Sequence, residues 1–312
     1  MTGLVTLGEA MAVVASEPGP LAPGTRARLS FSGAEATVAI GVSRLGHHAT
    51  WIGRIGADAA GRMILGGLRA EGVDVSHVRT ESALPTGLML RERRTADHTR
   101  SAYYRRDLAG SRLAPEDIDE ELVATAGLLH ITGITPALGS TARNSVRRAV
   151  DIARRAGVTV SLDVNYRSLL WSSKDAAAEL GFLVRRADLV FAGAEEARLL
   201  VGDAPAEQLA CALAALGPRQ AVVKLGAQGA LAVVDGQRLV QPPVPVTVVD
   251  PIGAGDAFVA GYLAAQLDGA APDERLLTAA TCGSFAVSVQ GDFEGLPRRD
   301  ELTLLTGDDV IR

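Results

Sequence analysis

Scarcity narrows this chain first. Its two cysteines, Cys211 and Cys282, have no CxxC spacing, which suggests neither a disulfide framework nor a zinc site and makes a cytoplasmic location the expectation. No apolar run reaches the ~18 residues that a membrane span needs. The opening MTGLVTLGEA also lacks a basic flank ahead of an apolar stretch, so neither a span nor a secretory signal is expected. Lys174 and Lys224 are the only lysines among 31 basic residues, no Lys/Arg block occurs, and the net charge is -5. That balance argues against a nucleic-acid surface and leaves small molecules as the expected partners. The arginine excess accompanies an Ala- and Gly-rich composition, so arginine abundance by itself carries no functional meaning.

What is present suits a large core. With 312 residues and 47% hydrophobic content, the chain can fold as one large α/β domain or two ordinary ones. From GLLHITG onward, short apolar runs alternate with stretches of helical period: VTVSLDV precedes KDAAAELGFLVRRA, and DLVFAG precedes AEEARLLVG. Such alternation predicts βα units feeding a mostly parallel sheet with helices on both faces. Ligands then collect at the carboxyl ends of the strands, where GITP, DVNYR, GAEE and LGAQG fall. The first third differs. Its strand-like segments flank GAEATVAIGVSRLG, which has helical spacing, and they predict a small β-sheet from residues 12–31 and 86–107, read either as a lid or as an edge hairpin.

VVDPIGAGDAF at 248–258 is the most informative stretch. A dinucleotide fingerprint would need glycine where Phe258 stands, and no GxxxxGK[ST] occurs. The remainder predicts a strand VTVVD, a glycine turn, and a helix ending near Gly269. Gly253 and Gly255 let backbone N–H groups turn inward, and the helix start adds unpaired donors, which together make an anion hole. Asp256 falls in the first helical turn. Alone it reads as a cap; beside a bound phosphate it would need a task, such as accepting a proton from an attacking hydroxyl.

With these residues in view, the chain resembles the ribokinase/PfkB sugar kinases over nearly its whole length. VVDPIGAGDAF is similar to that family's DTxGAGD signature, with Pro251 in place of Thr, and FSGAEATVAIGVSRLG with WIGRIGADAAGRMILGGLRAEGVDVSHV resembles its N-terminal signature. The resemblance implies a ribokinase-like α/β fold: a mostly parallel sheet flanked by helices (residues 1–11, 32–85 and 108–312) with a small β lid. It also implies ATP-dependent phosphorylation of a sugar hydroxyl with Mg²⁺, Asp256 as base, and the amides of Gly253, Ala254 and Gly255 on the transferred phosphate. By the same resemblance Lys224, Gly226 and Gly229 belong to the nucleotide segment, and Cys282 lies in the stretch that builds the adenine pocket. Glu196 would orient Mg²⁺-bound waters, although Gly193 stands where the family has Asn; a solvated helix-face carboxylate is the alternative for Glu196.

Two segments bear on the acceptor. In DVNYR, strand alternation would send Asp163, Asn165 and Arg167 to one side, and SAYYRRD places Tyr103 and Arg105 on the small sheet. A sugar acid needs a cation for its carboxylate, and arginine matches it best; surface ion pairs are the alternative use of Arg105 and Arg167. DxNxR, YYR, GAE at 33–35 and GDFEGLP resemble 2-keto-3-deoxygluconate kinases, which implies transfer to the C6 hydroxyl and contacts from Gly33, Ala34, Tyr103, Arg105, Asn165 and Arg167. Thr37 stands where the family has Asn, and Met89 where related kinases carry Tyr. 5-Dehydro-2-deoxygluconokinase, fructokinase and ribokinase are alternative activities, and a non-catalytic sensing module is an alternative of another class. Exposed edges of a small sheet invite partners, so a homo-oligomer is expected.

Overall fold

The protein, seen as a computed structural model that describes residues 3–95 and 98–305, places its strands in two sheets. The strands are β1 Leu4–Leu7, β2 Met11–Ser16, β3 Ala27–Ser32, β4 Ala49–Gly56, β5 Val78–Glu81, β6 Leu88–Arg93, β7 Thr99–Tyr104, β8 Leu128–Thr132, β9 Thr159–Asp163, β10 Leu189–Gly193, β11 Gln220–Lys224, β12 Ala230–Val234 and β13 Gln237–Gln241. The helices are α1 Ala34–Arg44, α2 Ala59–Ala70, α3 Glu120–Ala124, α4 Ser140–Ala156, α5 Ser173–Val184, α6 Ala194–Val201, α7 Ala206–Ala214, α8 Ala254–Leu267 and α9 Pro272–Val287.

The large sheet has nine strands in the order β13-β12-β11-β10-β9-β8-β1-β4-β5. Its pairs are parallel from β5 to β11, and β12 and β13 close it as an antiparallel hairpin. Asp235 and Gly236, with φ of 48° and 84°, form the hairpin turn, as a two-residue turn of the primed type requires. Helices bury their apolar stripes on both faces: α4 turns Ala142, Val146, Ala149, Val150 and Ala153 inward at helical spacing and sends its arginines out. α8 is buried almost throughout, from Ala257 to Ala265.

The chain moves outward from β1 through β4 to β5 and then returns to β8 on the other side of β1. That reversal makes the carboxyl ends of β1 and β8 a topological switch point, where a crevice opens. Over this crevice lies the second sheet, four strands in the order β3-β2-β6-β7, with Met11, Val13 and Met89 as its own small core. Two local expectations change. Residues 246–250 form no strand: Pro242, Pro243 and Pro245 just upstream remove ladder donors, and Val249 and Asp250 both donate to the Val287 carbonyl. β9 ends at Asp163, and Asn165 turns left-handed at φ 38°, so strand alternation does not govern Asn165 and Arg167.

Candidate active site

The carboxyl ends of the parallel strands and the inner face of the small sheet enclose a cleft of about 1570 Å³. Asp256 sits at its base as the third residue of α8, whose N-cap is Gly253 and whose first turn forms no capping box, so Asp256 is a first-turn acid rather than a hydrogen-bonding cap. It accepts a hydrogen bond from Asn165, whose Nδ2 donates to Oδ1 at 3.4 Å. Burial, then the neighbouring Asp163 carboxylate, push the Asp256 carboxyl up to about 7. A carboxyl tuned to neutrality can take and return a proton at working pH.

Beside it the turn at Gly253 is a donor surface. Gly253 has φ 77°, and a Cβ there would lie 2.1 Å from the Asp292 carbonyl oxygen, so only glycine fits. The first intrahelical donor of α8 is the Ala257 N–H, which reaches Gly253 O; the amides of Ala254, Gly255 and Asp256 precede it and point out of the helix end. Pro251 supplies no donor. The turn around it is held instead by Asp250, whose Oδ1 accepts from Ile252 N at 3.1 Å. Such an arrangement of free amides, with the helix dipole behind it, can receive an anion such as a phosphate group.

Two further charges flank the turn. The Lys224 ammonium donates to both oxygens of Asp163, at 2.9 and 2.8 Å. Burial works against its charge, yet Asp163 and Glu196 hold it above the ordinary lysine range. Lys224 Nζ also lies 3.5 Å from where a Cβ on Gly255 would stand, so it adds positive potential beneath the glycine turn. Glu196 is half-buried and engaged rather than a free helix-face carboxylate: Oε1 accepts from Tyr166 N at 2.9 Å and Oε2 from Gly193 N at 2.7 Å. It thereby pins the turn after β9 to the start of α6, while still facing the cleft. Among the described residues no three His, Cys, Asp or Glu side chains converge as a metal cage. Mg²⁺ carried by nucleotide phosphates needs only one or two carboxylates and several waters, and Glu196 can hold such waters with its remaining lone pairs.

At the other end, Gly33, Ala34, Tyr103 and Arg167 line the cleft, as does Asn165. Arg167 is exposed to it and enters no salt bridge among the described residues, and its charge is felt at both Asp163 and Asp256. Arg105 differs from the expectation of a free clamp. Its Nη2 lies 2.5 Å from Oε2 of Glu9, because Glu9 is 2% exposed directly after β1 and Arg105 is its counter-charge. Glu35, 1% exposed in the first turn of α1, accepts from Thr132 Oγ1 at 2.7 Å and Thr135 Oγ1 at 2.6 Å.

Other expected residues lie away from the cleft wall. Thr37 is buried one turn into α1. Gly226 and Gly229, with φ of 58° and 87°, shape the tight turn between β11 and β12. Cys282 packs in the core against Gly261, where a Cβ would come 2.8 Å from its sulfur, and burial pushes its thiol up to about 12; the missing Cβ of Gly261 draws α9 onto α8 and turns Cys282 inward. Met89 lines the cleft and its sulfur accepts from Arg91 Nη2 at 3.5 Å. Sequence reasoning missed Glu9, Asp250 and Asp292 as cleft residues. Asp250 and Asp292 stand inside stretches rich in glycine or proline, the only local signal; Glu9 has none.

The profile of the pfkB family carbohydrate kinases matches residues 1–299. A 2-dehydro-3-deoxygluconokinase of Thermoproteus tenax is 35% identical over 302 residues, 95% of this chain and 92% of that protein. A 2-dehydro-3-deoxygluconokinase of Bacillus subtilis is 34% identical over 308 residues, 96% of this chain and 93% of that protein. Among solved structures, a PfkB protein from a Polaromonas species superposes with a TM-score of 0.89 at 34% identity, covering 97% of this chain and 99% of that one.

Proposed function

We propose, for a chain that belongs to the pfkB family of carbohydrate kinases, that its acceptor is a sugar acid, most closely 2-keto-3-deoxygluconate, and its product the 6-phosphate. The protein is a carbohydrate kinase, and kinases of this family use ATP. The observation that carries the acceptor reading is Arg167, a guanidinium facing the cleft with no salt bridge among the described residues, beside the Asp256 carboxyl. The names of the relatives at 35% and 34% identity support the same acceptor.

In this reading Asp256 takes the proton of the attacking hydroxyl, which its pKa of about 7 permits at neutral pH. The amides of Gly253, Ala254 and Gly255 hold the equatorial oxygens of the transferred phosphoryl group, with Lys224 behind them, so charge is stabilised where it develops. Mg²⁺, when bound, neutralises phosphate charge, and Glu196 would hold its waters. Asn165 steadies Asp256, and Gly33, Ala34 and Tyr103 surround the sugar. Residues 12–31 and 86–107 act as a lid that excludes water over the reacting groups. A homo-oligomer through the small sheet belongs to this proposal, since Leu29 and Tyr104 stand exposed on it. A cytoplasmic location fits two free thiols, and no helix among the described residues is long and apolar enough to cross a membrane.

The test is turnover of ATP with 2-keto-3-deoxygluconate against 5-dehydro-2-deoxygluconate, fructose and ribose. The sugar acid is expected to give the highest kcat/KM; strong turnover of a neutral sugar with none of the acid would sink the acceptor reading. Absence of turnover with every acceptor would favour a sensing module. A second outcome isolates the carboxylate contact: Arg167→Ala should raise KM for the acid roughly 10–100-fold, the worth of one charged hydrogen bond, and leave a neutral sugar's KM nearly unchanged. Equal effects on both would make Arg167 structural.

A further inference from the structure

Asp163 is not among the groups assigned to the transferred phosphate, yet it is 1% exposed, lines the cleft and takes its charge partner from two strands away. The Lys224 side chain spans from β11 past β10 to the end of β9, where its ammonium donates to both carboxylate oxygens, at 2.9 and 2.8 Å. The residue of β10 in register with Lys224 is Gly193, which brings no side chain and so no competing acceptor. An ammonium carries three N–H donors. Asp163 takes two, and no acceptor among the described residues takes the third. Outside its own helix, the one atom within 4 Å of where a Gly255 Cβ would stand is Lys224 Nζ, at 3.5 Å. Gly255 is not left-handed as Gly253 is, so its missing side chain leaves open space beside the ammonium rather than relieving the backbone.

Resting on the assignment of Asp256 as the base and of the glycine turn as the phosphoryl site, we propose that Asp163 is a positioning residue for the transfer step, acting through the Lys224 ammonium that it aims at the transferred group and through the Asp256 base that it neighbours. Two hydrogen bonds to one carboxylate fix the ammonium in rotation as well as in place. The third N–H then points away from Asp163, into the space beside Gly255 where the phosphoryl oxygens lie. A buried ion pair contributes little net stability, since both charges leave water; what this one supplies is orientation. Charge on the phosphoryl oxygens is redistributed as transfer proceeds, so an ammonium already aimed there stabilises the transition state without reorganising. The second effect runs through Asp256. Burial raises its proton affinity most and the Asp163 carboxylate next; Lys224 and Arg167 lower it, and Glu35 raises it. Without the Asp163 charge, Asp256 is a weaker base that stays ionised to lower pH.

The pH profile of Asp163→Asn beside that of the wild type, with ATP and 2-keto-3-deoxygluconate, tests both effects. The amide keeps the shape of the carboxyl but offers Lys224 one acceptor and no charge. Its plateau kcat is expected to fall roughly 10–100-fold, the worth of one charged hydrogen bond, with KM for the sugar acid nearly unchanged. The acid limb of kcat/KM should move to lower pH than in the wild type. A purely structural role for Asp163 would lower the melting temperature and leave kcat per folded enzyme and the limb where they are. Native-like kcat, or an unmoved limb, overturns the proposal. A wild-type profile with no limb near about 7 defeats the base assignment on which it rests. If Asp163→Asn fails to fold, the wild-type protein still decides. Lys174 and Lys224 are the only lysines, so ¹⁵N-lysine labelling gives two Nζ signals. That of Lys224 should shift when a β,γ-imido analogue of ATP binds with the sugar acid, and that of exposed Lys174 should not. Binding of the analogue that leaves the Lys224 signal in place defeats this inference alone.

Discussion

Asp256→Asn is expected to lose about 10²–10⁴-fold in kcat, the range for removing a positioned general base, while ATP binding stays nearly unchanged. The amide keeps the shape of the carboxyl but cannot take the proton, and the backbone donors of the glycine turn remain in place. In the native protein kcat/KM should fall about tenfold per pH unit below about 7, as the base becomes protonated. The same group sets a stability trend of opposite sense. Its folded pKa of about 7 lies above its ordinary 3.8, so its contribution to stability is fully present below about 3.8 and is lost as pH rises through about 7. Asp256→Asn should therefore melt higher than the native protein at pH 8, a site residue whose removal stabilises. A variant that keeps more than a tenth of native kcat would end the general-base assignment.

Arg91→Leu should be the most damaging single change to stability. Arg91 leaves β6 of the small sheet and meets Asp292, beyond α9, in a bidentate pair, Nη1 to Oδ2 at 2.7 Å and Nη2 to Oδ1 at 3.1 Å. Both residues are buried. Burial opposes the guanidinium's charge, but the Asp292 hydrogen bonds and field hold it above the ordinary arginine range. Removing one partner strands the other charge, which costs about 3–5 kcal/mol, or roughly 5–8 °C in melting temperature for a chain of this size. Ser32 Oγ still donates to Asp292 Oδ1 at 2.6 Å and limits the loss. The double variant Arg91→Leu with Asp292→Leu should recover part of it, because no uncompensated charge remains. Since the Asp292 carbonyl abuts Gly253, Arg91→Leu should also raise KM for ATP. A melting shift under 2 °C would show that the pair contributes little.

Local chemistry made a large part of this protein legible. Alternating apolar and helical segments announced the parallel sheet because a strand and a helix each need a distinct side-chain period, and the nine-stranded sheet with its flanking helices follows from it. The turn before α8 was legible for a similar reason: a left-handed position against a carbonyl admits only glycine, and a helix start exposes its amides. VTVVD misled because a β-branched run shows strand preference but not whether a neighbouring strand is there to pair with it.

The charges were not legible. Asp163 meets Lys224 across 61 positions and Arg91 meets Asp292 across 201, and Glu9 finds Arg105 only because β1 ends beneath the small sheet. The sequence by itself determined the strand and helix periods, the glycine turn and the aspartate that follows it, since these depend on backbone geometry within a few residues. Tertiary structure alone decided that Asp256 is no cap, that Arg105 is already paired, and that Asp256 and Glu9 titrate near 7. Pairing and proton affinity depend on which charges the completed fold buries together and how much water it leaves them, and no local stretch of chain carries that information.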